Sequence, residues 1–173
     1  MLRIAVIDGQ GGCVGATIIK KIKRIHGEKV QIWALGTNAT ATSQMLKAHA
    51  NRGASGESAV CHCVQKVDVI IGSLSLLICN AMMGEVSAAM VQAIGEAGAT
   101  KILLPITEES VVIVGVVAEP LPHAIDRLLD DYLNPMLSER IIWQQGNRGR
   151  GDSMVSVEMK REVTPVAGGE GGR

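Results

Sequence analysis

AVIDGQGGCVG, residues 5–15, decides how the rest of the chain is read. An apolar run ends at Asp8, glycines follow at positions 9, 11, 12 and 15, and a helical pattern starts at once. Read as strand, turn and helix, each glycine has a task. Gly9 permits the sharp exit from the strand, Gly11 or Gly12 lets a ligand approach the backbone, and Gly15 lets the helix pack on the sheet. Such a turn aims N–H groups and the positive end of a helix at an anion. Asp8 puts a negative charge where that anion would come. It either accepts N–H bonds and shapes the loop or holds a divalent cation beside a phosphate. Loop shaping is favoured, since no second carboxylate is identifiable as a metal partner.

Working outward, apolar runs rich in β-branched residues at 2–7, 30–35, 67–71, 101–106 and 111–117 predict strands, several buried on both faces. Helical stripes lie between and after them: Val14, Ile18, Ile22 and Ile25; Thr42, Met45, Leu46 and His49; Val86, Met90, Ile94 and Ala97; Leu121, Ile125, Leu128 and Tyr132. Gly27, Gly53 and Gly98 each follow a stripe, where a left-handed residue ends a helix. Residues 59–64, AVCHCV, read as a further short strand. The alternation implies an α/β fold, a Rossmann-like doubly wound three-layer sandwich with a mostly parallel sheet. It forms a single domain over residues 1–143. Residues 144–173 are a polar, glycine-rich extension; 153–163 reads as an edge strand, and Arg150-Gly151-Asp152 as a chance triplet.

Composition narrows the function classes. The 173 residues are 47% hydrophobic, enough for one good core. Lys+Arg and Asp+Glu balance at 17 each and there is no Phe, which argues against a nucleic-acid partner. No secretory signal is visible, and the apolar stretch 67–83 is interrupted by Asp68, Gly72, Ser73, Ser75 and Asn80, so no membrane partner is expected. Four cysteines in a chain with its own core read as free thiols. The expectation is a cytoplasmic protein, and its balanced charge permits a homodimer.

In open α/β sheets, ligands bind beyond the carboxyl ends of the strands. The residues expected there are Asp8, Gly9, Gln10, Gly11, Gly12, Cys13, Val14 and Gly15, then Gly36, Thr37 and Asn38, then Gly72 and Ser73, with Thr107 after the next strand. They suit a small nucleotide-like ligand, NAD(P) or another nucleotide. Two features oppose ordinary NAD recognition: Asp8 itself, and the absence of an acid for the ribose hydroxyls after Leu35. Thr37 or Asn38 is left to bond a ribose or phosphate, or Asn38 caps the next helix. Gly15-Ala16-Thr17 lacks the Walker lysine, and the only tyrosine, Tyr132, lacks a lysine four residues on. Cys61-His62-Cys63 has no C-x-x-C spacing and is not read as a metal site. Glu85 is read as a first-turn residue of the helix after it, with an acid/base role as the alternative. No catalytic residues are identifiable.

With VIDGQGG, Gly36-Thr37-Asn38, residues 53–57 (GASGE) and residues 67–72 (VDVIIG) in place, the chain resembles a bacterial family of unknown function, DUF3842, over about residues 1–135. The resemblance implies a Rossmann-like fold and no established activity. The expected function is nucleotide binding at loop 8–15. The alternatives are a ligand-sensing module in which Met82-Met83 moves and, behind it, a metal-dependent phosphohydrolase built on Asp8.

Overall fold

The computed structural model describes residues 1–106, 110–117 and 119–138. In chain order the elements are β1 (Leu2–Asp8), α1 (Cys13–His26), β2 (Val30–Gly36), α2 (Ala39–Lys47), β3 (Arg52–Ser55) and α3 (Glu57–Cys63). Then come β4 (Val69–Ser73), α4 (Ala88–Glu96), β5 (Thr100–Leu104) and α5 (Leu121–Arg127), which runs on into a π-helical turn, Leu128–Leu133. The sheet order is β3-β2-β1-β4-β5, every pair parallel. The order reverses between β1 and β4, and in such sheets that switch point opens the ligand crevice.

Alternation along the strands builds two cores. Ile4 and Val6 face Ile18, Ile19 and Ile22 of α1, with Met45 of α2 and Ile125 and Leu129 of the α5 segment. Ala5 and Ile7 face the other way, onto Val60 and Val64 near α3 and Met90 and Ile94 of α4. Strands covered on both sides have no polar face, which explains their unbroken apolar runs. Among the described residues no helix is long and apolar enough to cross a membrane.

Four expectations need correction, and one strand was not foreseen. Residues 59–64 are helical: Val60 and Val64, four apart, share one buried face. Residues 111–117 are not a strand; Val116 N–H bonds the Ile113 carbonyl, Gly115 has φ 86°, and Val112 and Val114 are exposed. β3, four largely exposed residues held by pairing to β2, carries too little pattern to be read. Only Gly27 of the three helix-ending glycines has positive φ; Gly53 lies in β3, and His49 (φ 72°) follows α2. The last stripe also shifts: the π turn carries Leu129 and Leu133 inward and leaves Tyr132 exposed. Trp143, Thr107 and the extension 144–173 lie outside the described residues.

One glycine ties the end of β2 to α2. A Cβ on Gly36 would meet Thr42 Oγ1 and stand 2.5 Å from the Asn38 carbonyl oxygen. By contrast, a Cβ on Gly95, inside α4, would meet open space. Gly36→Ala is therefore expected to destabilise by about 1–3 kcal/mol through overpacking. Gly95→Ala should instead gain about 0.5–1 kcal/mol through helix propensity. Urea denaturation of the two variants checks both signs.

Candidate functional site

The site starts from Asp8, the last residue of β1. Its side chain is buried and turns back under the glycine loop: Oδ1 accepts Gly9 N–H at 2.9 Å and Oδ2 accepts Gly15 N–H at 2.7 Å. Gly12 N–H closes the turn onto the Gly9 carbonyl at 2.9 Å, with φ 70° at Gly12 where α1 begins. Gly15 is the third residue of α1, so Asp8 caps the helix from a distance and meets its dipole with a negative charge. Burial pushes the Asp8 carboxyl up; N–H bonds from Gly15, Gly9 and Val14 pull it down, the Glu85 charge adds to the rise, and the net position is above the ordinary value.

The second carboxylate comes from the connection between β4 and α4. Glu85 Oε2 accepts Gln10 N–H at 2.8 Å and Asn38 Nδ2–H at 2.9 Å, and the Thr37 hydroxyl donates to the same oxygen. Three segments thus meet on one atom: the glycine loop, the end of β2 and the β4–α4 connection. Asn38 also caps α2, accepting Ala41 N–H through Oδ1 at 2.8 Å, and donates to the Gln10 carbonyl at 3.0 Å. Both readings of Asn38, cap and crevice residue, thus describe bonds it makes at once. Burial would raise the Glu85 carboxyl, but the bonds from Thr37, Gln10 and Asn38 outweigh it and hold the group below its ordinary value.

Glu85 is the residue whose role sequence reasoning misplaced. α4 starts at Ala88 and is capped by Ser87, whose hydroxyl accepts Met90 N–H at 3.2 Å, so Glu85 precedes the first turn. Ser87 before the apolar stripe was the signal that could have shown this. The backbone before Glu85 is tightly wound, with positive φ at Asn80, Met82, Met83 and Gly84 and a bond from Asn80 N–H to the Val86 carbonyl at 2.7 Å. Met82 covers Gly9 so closely that a Cβ there would lie 2.6 Å from its sulfur, and 2.8 Å from Glu85 Oε2. Met83 is 93% exposed.

The other expected site residues divide. Gly11 and Cys13 are exposed at the mouth of the loop, and the Val14 side chain packs against the core around α1. A Cβ on Gly15 would collide with Met45 and Asp8, so this glycine serves packing. A Cβ on Gly72 would meet Leu76 and lie 2.8 Å from the Ile7 carbonyl oxygen, so this glycine serves packing of β4 against β1. Ser73 ends β4, and the β1–β4 register, Ile4 with Val69 and Val6 with Ile71, brings it level with Asp8. Its hydroxyl is buried without a hydrogen-bond partner among the described residues. Cys61 and Cys63, both half-buried free thiols on α3, pack against the core around α3 and α4. The described residues contain no group of three His, Cys, Asp or Glu able to hold a metal. A cavity of about 760 Å³ lies elsewhere, between β5 and the α5 segment, lined by Leu104, Arg127, Leu128, Tyr132 and Met136.

A parallel sheet in the order 3-2-1-4-5, with a glycine turn at the switch point, defines a Rossmann-like α/β protein. Within that class the chain belongs to the family described as domain of unknown function (DUF3842), whose model matches residues 3–137. No curated protein matches the chain. Among solved structures it is similar to a dodecameric FMN-dependent UbiX-like decarboxylase from Escherichia coli O157:H7. Identity is 12%, the match covers 76% of this chain and 94% of that one, and the TM-score is 0.38.

The two carboxylates have opposite effects on stability with pH. The Asp8 contribution is present below the ordinary aspartate range and is lost as pH rises through its raised folded value. That of Glu85 is present above the ordinary glutamate range and is lost as pH falls through its lowered folded value. Glu85→Gln is therefore expected to cost about 1 kcal/mol at pH 7, where the charge-assisted bonds are replaced by neutral ones. The gap to wild type should close toward pH 3 in denaturant titrations.

Proposed function

We propose that this chain binds a nucleotide-type ligand at the carboxyl ends of β1, β2 and β4. The observation that carries the reading is the meeting of Gln10 N–H, Thr37 and Asn38 on Glu85 beside the switch point. It supplies an acid beside the end of β2, where sequence alone offers none, and there an acid serves ribose hydroxyls. The outline of the glycine loop makes NAD(P) the first ligand to test. Its diphosphate would approach the loop at Gly11 and Cys13, because the Gly9, Gln10, Gly12 and Gly15 N–H groups already have internal partners.

A sensing role is the second reading, favoured by the tightly wound, methionine-bearing segment 80–84 that covers Gly9. Under it, the ligand binds without turnover and moves this segment. A phosphohydrolase built on Asp8 has less support, since both of its oxygens accept backbone N–H bonds.

The test is thermal shift with NAD, NADP, ATP and GTP, together with mass spectrometry of ligands released from the purified protein. A ligand at a hundredfold excess over Kd stabilises by about 2.7 kcal/mol, several degrees in Tm for a chain of this size. Gly11→Val is expected to fold normally, because the nearest atom to a Cβ there is Cys13 Sγ at 3.7 Å, and to abolish the shift. No shift with any of the four, and no nucleotide released, overturns the reading.

A further inference from the structure

Glu85 uses one oxygen to hold the crevice together. Oε2 takes all three donors, and among the described residues no group donates to Oε1. Removing this carboxylate would break three hydrogen bonds to a charged acceptor at once. A ligand that leaves Glu85 in place and bonds to Oε1 avoids that cost. Its group must be a donor, and it must tolerate negative charge: no cation among the described residues pairs with Asp8 or Glu85, and each salt bridge of the described residues lies elsewhere.

A second polar group is also unsatisfied. The Ser73 side chain is buried, its hydroxyl has no partner among the described residues, and it lies two residues beyond the Val6–Ile71 pair on β4, as Asp8 does on β1. A buried hydroxyl without a partner carries an uncompensated desolvation cost. At the switch point, that cost is recovered when a ligand supplies the missing bond.

We propose that Glu85 selects the ligand of this crevice by accepting the hydroxyls of an unphosphorylated ribose at Oε1, and that it turns away ligands bringing a phosphate to that position. Resting on the nucleotide reading above, the inference names the ligand class: nucleosides and nucleotides with a free vicinal diol, NAD rather than NADP. The hydroxyls donate to a fixed carboxylate, whereas a 2′-phosphate would meet that charge with no arginine or lysine among the described residues paired to it. The acid is supplied from the β4–α4 connection, so the strained segment 80–84 that presents Glu85 becomes part of the recognition surface.

Calorimetric titration of the full chain with NAD, NADP, adenosine and 2′-deoxyadenosine tests this. The expected result is NAD over NADP, and adenosine over 2′-deoxyadenosine, each by roughly tenfold or more. Glu85→Gln should weaken NAD by roughly ten- to a hundredfold and narrow the NAD/NADP ratio. Equal binding of the paired ligands by wild type overturns the inference while leaving the nucleotide reading intact, and needs no variant. Tighter NAD binding by Glu85→Gln also overturns it, because the carboxylate would then be an internal competitor. If none of the four binds, the nucleotide reading falls as well.

Discussion

The carboxylate of Asp8, folded back beneath its own loop, is the constraint on which the site depends. It bonds Gly9 and Gly15 at once, clamping the start of α1 to the end of β1 across a turn of six residues, 9–14. Two consequences follow. Gly9 and Gly15 have no freedom to accept side chains, since Met45 and Asp8 crowd Gly15 while Met82, Thr37 and Glu85 crowd Gly9. The positive end of α1 is also already answered from within, so any ligand meets a loop whose electrostatics are set by an acid rather than by bare N–H groups.

Glu85 extends the same logic outward. Asp8 joins neighbours in sequence, whereas Glu85 joins segments 75 and 47 residues away, Gln10 and Asn38. Asn38 is the hinge between the two systems, capping α2 with its oxygen while its nitrogen spans Gln10 and Glu85. The polar end of the sheet is therefore one connected network, and such networks hold a single arrangement firmly when their members are satisfied. At the end of β4, the Ser73 hydroxyl is left without a bond among the described residues.

Much of the fold was legible because burial on both faces leaves long apolar runs. The start of β1, the stripe of α1 and the two-sided character of β2 and β4 all follow from it. Legibility failed where tertiary contact overrides pattern. β3 exists because β2 offers an edge, and its own four residues carry no stripe. The run at 111–117 has strand-forming composition, but Gly115 turns there and the valines face solvent. The turn of the glycine motif was readable because motif and geometry coincide within eight residues. Glu85 was not, since its meaning comes only from a contact spanning 75 residues. Ser87 was the one local cue to it.

The division of the core by the sheet has a consequence for how the chain tolerates change. Among the described residues, the buried side chains around α1, α2 and α5 form one cluster and those around α3 and α4 another, with the strands between them. Substitutions on opposite faces should thus combine additively, communicating only through strand backbone, while neighbours on one face remain coupled. The molecule is in effect two half-cores sharing a wall. Either can be repacked while the other, and the carboxylate network at the end of that wall, keeps its register.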